Sequence, residues 1–344
     1  MLTQQLGCDI IIIVHEHDNV CQNHMAEYEA VCKKKKRGVS VISKRTKLRK
    51  MIEDYDLYLL ILPGIIYLLI FAYGPMSGLQ LAFRDYRFVD GIWGSPWVGF
   101  AHFERFFNMF LFREVMVNTV LISIYSIIFG FPVPIIMALL LNHLRSKIFV
   151  RTFRTVSYAP HFISMVIMVG MLIFFLNPRT GVVNIILSSL GFDTVNFMAR
   201  PQYFRTIFIA SSIWQGSGFA MIIYTASLSS VDPALYEAAD IDGASKLNKI
   251  LHIDLPTLKP TIIILLILSI GNLMNVGFER VFLMQNDLNI GVSEIIPTYV
   301  YRAGLLRGNH DFATAVGLFN TVVNFGLLVS ANWISRKVAG TSLW

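Results

Sequence analysis

Six windows of mostly apolar residues, each about 20 residues or longer, punctuate the chain between segments rich in polar and charged residues. A helix needs roughly that length of uninterrupted apolarity to cross a bilayer's hydrocarbon core. The windows run over about residues 57–76, 115–141, 158–177, 204–228, 260–281 and 312–335. The second contains Pro132 and Pro134, and the fourth is diluted by Ser, Gly and Gln215. The pattern predicts an all-α transmembrane fold with six spans over residues 51–344. An even number of spans puts both termini on one side.

Composition agrees with lipid as the solvent. Hydrophobic residues make up 55% of the 344 and charged residues 15%, against about 25% charge in an ordinary soluble domain. The position of the charges matters more than the net charge of +7. "KKKKR" stands at 33–37, and four basic residues fall in "NHLRSKIFVRTFR" between the second and third windows. Lys246, Lys249 and Lys259 follow the fourth window, and Arg336 and Lys337 follow the sixth. With six spans, all twelve lysines lie on the same side as the termini. Basic loops stay in the cytoplasm, so both termini are expected there.

Residues 1–50 read as a basic cytoplasmic tail. "CDIIIIVHEHD" is too short to span and lacks the features of a secretory signal. Cys8, Cys21, Cys32, His15, His17 and His24 lack the close pairing of a zinc site, so no metal is expected. The segment reads either as a tail without regular structure or as an upstream extension with Met25 as the start. Between the first two spans, Trp93, Trp97 and a series of phenylalanines suit the outer headgroup layer. A short amphipathic helix is expected there over about 102–112, as a membrane anchor or a landing surface for an external partner.

Catalytic signatures are missing. The chain has no G-x-x-x-x-G-K-[ST] phosphate loop, no H-E-x-x-H and no G-x-S-x-G. His161, beside Pro160, reads as a helix-start residue rather than a base. No enzymatic role is expected of this chain alone.

Polar side chains inside a span are costly in lipid and face a cavity or a protein partner. The fourth span carries Trp214 and Gln215; the fifth carries Asn272, Asn275, Glu279 and Arg280. Amides to bond hydroxyls and an aromatic plate for an apolar ring face suit a sugar pathway. Helix–helix hydrogen bonding remains open for each of these residues. Glu279 and Arg280 could pair with one another or with a neighbour.

The segment "YEAADIDGASKLNKILHIDLP", Tyr236–Pro256, is unlike the spans on either side. Asp232–Pro233 is a good helix opening, and Ala234, Ala238 and Ala239 would give that helix a slim face. Gly243 allows a sharp turn. "KLNKILHI" resumes an amphipathic pattern, with Leu255–Pro256 expected to end it. Four acids make adhesion to an anionic inner leaflet unfavourable, so a protein socket is the better expectation.

Glu237, Ala238, Ala239, Gly243, Ile253, Leu255 and Pro256 match the E-A-A-x-x-x-G-x9-I-x-L-P signature at its spacing. On this signature the chain resembles permease subunits of bacterial ATP-binding-cassette importers. "YGPMSGLQLAFRDYRF", "DGIWGSPWVGF", "YAPHFIS", "GFERVFLMQN" and "TYVYRAGL" are similar to oligosaccharide-importer permeases of the rhamnogalacturonan and alginate kind. The resemblance covers about residues 51–344 and leaves out the first 32.

The resemblance implies a type I importer core. The loop over 229–259, with Asp242 beside the signature glycine, would dock into one of two separate ATPase subunits, which carry the ATP and magnesium. It implies a second, related permease subunit, an external solute-binding protein and an oligosaccharide as cargo. No nucleic-acid partner and no cofactor on this chain are implied. Import of a peptide, amino acid or phosphate through the same fold, or a channel without ATP coupling, are the alternatives.

Overall fold

A computed structural model describes residues 55–344 of the chain. The expectations for the tail, including its cysteines and histidines, lie outside the described residues. Contacts divide the chain into one unit up to Met76 and another over Ser77–Trp344. The described part of the first unit is helical, beginning with α1 (Tyr55–Leu68), which has no buried residue.

In the second unit the main helices are α2 (Ala101–Phe107), α3 (Phe112–Asn142), α4 (Lys147–Tyr158) and α5 (Met165–Phe175). They are followed by α6 (Pro201–Leu228), α7 (Pro233–Ile241), α8 (Lys246–Gly271) and α9 (Phe278–Met284). The last two are α10 (Ile296–Tyr301) and α11 (His310–Ala339). Among the described residues the sole β pairing is an isolated bridge between Arg84 and Trp97.

Among the described residues the six apolar windows map onto five helices long and apolar enough to cross a membrane, plus one bent pair. The bend lies in the third window. There Lys147–Phe162 meets Met165–Phe175 at 100°. Pro160 lies in the 3₁₀ turn at the corner, and the Ser164 hydroxyl caps α5 by accepting from Ile167 N. α5 alone has 11 residues, about 16 Å of rise, so hydropathy over 158–177 overstated the straight helix. His161 does sit at this helix corner, stacked on Phe219 with ring centroids 4.0 Å apart.

Prolines leave a second mark. Five-residue π turns at Leu69–Tyr73, Ser126–Gly130 and Ile250–Asp254 each end two residues before a proline, Pro75, Pro132 and Pro256. A proline has no N–H and crowds the preceding turn; widening that turn lets the helix continue. This corrects the expectation that Leu255–Pro256 ends a helix. The chain runs helically from Lys246 through Pro256 to Gly271.

Three clusters of buried side chains hold the second unit. One gathers Ala138, Leu139, Leu141, Met221, Tyr224, Leu228 and Leu258, where α3, α6 and α8 meet near the 229–259 loop. Another joins α3, α5, α6 and α9 through Ile122, Met168, Phe208 and Val281. A third packs Phe106 of α2 against Phe312 and Val316 of α11. The expected amphipathic surface helix therefore spans Ala101–Phe107 and turns His102 and Phe106 into protein.

Candidate functional site

Two regions carry the residues singled out in the sequence. The first is the loop between α6 and α8. Asp232 caps α7 by accepting from Ala234 N at 2.9 Å, with Pro233 in the first turn. At the other end Gly243 N donates to Asp240 O at 3.2 Å and Ala244 N to Ala239 O at 2.9 Å. This paired closure needs a left-handed residue, and Gly243 has φ +69. The signature glycine is thus the residue that stops α7 after Asp242. A Cβ there would meet nothing within 4 Å.

α7 has no buried residue. Glu237, Ala238 and Asp242 are exposed, Ala239 and Ile253 half-buried. Apolar side chains also face outward, with Ile241 87% exposed and Leu235 and Leu247 over half exposed. Lys249 forms an ion pair with Asp240 and ties the two halves of the loop.

Asp254 breaks this pattern. It lies between the half-buried Ile253 and the exposed Leu255, yet is fully buried. Its Oδ1 accepts from Tyr236 Oη at 2.5 Å and its Oδ2 lies 2.5 Å from His143 Nε2. Asn142 Nδ2 donates to the same carboxylate at 3.4 Å and to Tyr236 Oη at 3.1 Å. Burial first, and then the bond to Asp254, push the Tyr236 phenol up to about 12.

The second region is the fifth span, which is broken. α8 ends at Gly271, a short turn covers Leu273–Asn275, Gly277 is left-handed at φ +52, and α9 follows. Glu279 and Arg280 consequently sit on a separate short helix rather than within the span. Opened backbone inside a membrane bundle must be satisfied by protein or line a cavity. Both occur here. Asn324 Oδ1 accepts from Met274 N at 2.9 Å, and Ser123 Oγ donates to Leu273 O. Beside the break lies a cavity of about 350 Å³ lined by Ser123, Ser126, Phe208, Ser212, Asn272 and Asn275, among others.

Of the predicted pathway residues, Asn272 and Asn275 meet at this cavity with exposed side chains. Asn275 also accepts from Asn320 of α11 at 2.5 Å. Gln215 and Arg280 are buried together. Arg280 Nη2 donates to Gln215 Oε1 at 2.5 Å, and Gln215 Nε2 donates to Ile163 O at 2.9 Å. Trp214, half exposed, and the exposed Glu279 lie outside the cavity lining. Sequence reasoning passed over Ser123, Ser126 and Asn320. Polar positions in the second and sixth windows were the available signal.

A model of the family "Binding-protein-dependent transport system inner membrane component" matches residues 130–340. The chain belongs to this family. As such it is an inner-membrane transport subunit. Among curated relatives it is 43% identical over 284 residues to the protein LplB of Bacillus subtilis strain 168, covering 83% of this chain and 89% of that one. It is likewise 43% identical over 302 residues to YteP of the same organism, a polygalacturonan/rhamnogalacturonan transport system permease protein. That match covers 87% of this chain and 94% of the relative. A solved bacterial ABC transporter that imports the acidic polysaccharide alginate contains a chain 42% identical, with a TM-score of 0.80. The likeness covers 85% of this chain and 99% of that one. A second structure of the bacterial alginate ABC transporter, with an alginate pentasaccharide-bound periplasmic protein, matches at the same identity and TM-score.

Proposed function

We propose that the chain is the permease subunit of an ATP-driven importer that carries oligosaccharides, the breakdown products of a polysaccharide, into the bacterial cytoplasm. One observation carries the reading. Glu237, Ala238, Asp242 and Gly243 of the signature stand exposed, with apolar Leu235, Ile241 and Leu247 uncovered around them, in a chain 42% identical to that of a polysaccharide importer. Exposed apolar side chains on a loop are a protein-docking feature. The docking partner in this reading is an ATPase subunit, and two such subunits hold the ATP and magnesium. Glu237, Ala238, Ala239, Asp242, Gly243, Ile253, Leu255 and Pro256 form the plug.

A second, homologous permease subunit completes the pathway, and an external solute-binding protein delivers the cargo. Both termini face the cytoplasm, as the lysines require. The broken fifth span supports a polar pathway at Asn272 and Asn275. Asn320 Oδ1 and Asn324 Nδ2 are buried beside it with no partner among the described residues. Trp214, Gln215, Glu279 and Arg280 serve as its flanks and supports.

The test is reconstitution of the complete complex, with binding protein, in vesicles supplied with labelled oligosaccharides. ATP-dependent accumulation is the expected outcome. Accumulation of a peptide, amino acid or phosphate in place of sugar would reassign the cargo, and flux without ATP would overturn the coupling.

A further inference from the structure

We infer that Asp254 is a positioning residue that transmits movement of the ATPase-facing helix α7 to the ends of the second and fifth spans. The inference rests on the coupling role proposed above for the 229–259 loop. That loop is held unevenly. α7 has no buried residue, so apolar packing holds it only weakly. Lys249–Asp240 joins the loop only to itself, and Asp240 is largely exposed.

The connection of α7 to the bundle runs instead through Tyr236. Its hydroxyl reaches the buried Asp254 carboxylate at 2.5 Å and accepts from Asn142 Nδ2 at 3.1 Å. His143 adds a second 2.5 Å contact from the C-terminal end of α3. Three elements thus converge on one carboxylate: α7, the end of α3, and the π turn that leads through Pro256 into the apolar part of α8.

The chemistry makes this junction stiff. Hydrogen bonds to an ionised carboxylate are short and stronger than neutral ones. Breaking them inside the protein would leave a buried charge unpaired, which costs more than the bonds themselves contribute. When α7 is displaced, the cluster moves as a body, and the ends of α3 and α8 move with it. The other acids of the loop, Glu237, Asp240 and Asp242, are exposed, whereas Asp254 is buried.

The experiment uses the whole complex in vesicles, comparing parent, Asp254→Asn, Tyr236→Phe and Gly243→Asp. Membrane level, ATPase retention, ATP hydrolysis and sugar imported per ATP are read for each. For Asp254→Asn and Tyr236→Phe, retention of the ATPase at the parental ratio is expected. Import per ATP should fall about tenfold, the scale of losing one hydrogen bond to a charged group. Spin labels at Ile241 and Arg145 provide a second readout. The parent should keep one narrow distance with and without ATP, and both variants should broaden it.

If Asp254→Asn does not accumulate, Tyr236→Phe, which removes a single oxygen, decides the matter. Parental import per ATP and an unbroadened distance in that variant would overturn the inference. Were Gly243→Asp to lose its ATPase while the Tyr236 variant stayed coupled, the docking reading would stand and the junction would fail alone. Unchanged coupling in the Gly243 and Tyr236 variants together would remove the loop reading and the junction with it.

Discussion

Arg280 donates from Nη2 to Gln215 Oε1 at 2.5 Å, joining α9 to α6 behind the break in the fifth span. Its guanidinium also lies 5.6 Å from the Phe208 ring centroid. That ring packs where a side chain at Gly277 would stand, 2.7 Å from a Cβ built there. The left-handed glycine, the phenylalanine and the cation therefore form one stacked support for the opened backbone.

Gln215→Leu should leave Arg280 buried without its acceptor, at roughly 1–3 kcal/mol for an unsatisfied polar group. The apparent melting temperature of the purified complex should fall. Arg280→Met should lower it as well, and the double variant should lose less than the sum, because the two share one interaction. Strict additivity would show that the pair is not coupled.

Asn272→Leu and Asn275→Leu should both insert and assemble, since leucine suits a span. Import should fall by about tenfold for each 1.4 kcal/mol of lost hydrogen bonding. Asn320→Leu should resemble Asn275→Leu, because Asn320 holds the Asn275 amide at 2.5 Å. Parental uptake by all three variants would place the sugar path elsewhere.

Gly243→Val should leave the amount of this chain in the membrane near normal. The position has open space around it, and the left-handed strain amounts to about 1–2 kcal/mol at one exposed turn. The ATPase should nevertheless fail to co-purify, because the bare turn and the end of α7 are what the socket meets. Gly243→Asn, which tolerates a positive φ better, should retain more ATPase than Gly243→Val. Equal retention by both would separate docking from the turn's geometry.

Orientation can be read by thiol labelling in a background without Cys8, Cys21 and Cys32. Ser95 and Asn289, which lie in the segments expected outside, are buried. Val89, 97% exposed, and Leu288 are better positions. Cysteines at Val89 and Leu288 should react with an impermeant reagent in whole cells, whereas one at Ser245 should wait until the membrane is opened. Reaction at 245 in intact cells would invert the topology.

Length and apolarity of the spans, lysine asymmetry and the signature from Glu237 to Pro256 are properties of short stretches of chain. Backbone hydrogen bonding in lipid, charge across a bilayer and the spacing of a docking motif all act locally, so these are legible in the chain itself. The Asp232 cap and the Gly243 turn belong to the same class, since each is closed within a few residues. Where the spans break was decided elsewhere. A proline shows only a missing donor, and whether the helix stops or widens into a π turn depends on packing around it; Pro256 and Pro132 are both carried through. The break at 272–277 is held open by Ser123 and Asn324, some 50 residues away or more. Asp254 is a further case. In the chain it is one acid among four, and only the convergence of Asn142, His143 and Tyr236 buries it. Burial and partnership across long sequence separations depend on which faces of α3, α6, α8 and α11 meet, and that is settled by packing in three dimensions rather than by local pattern.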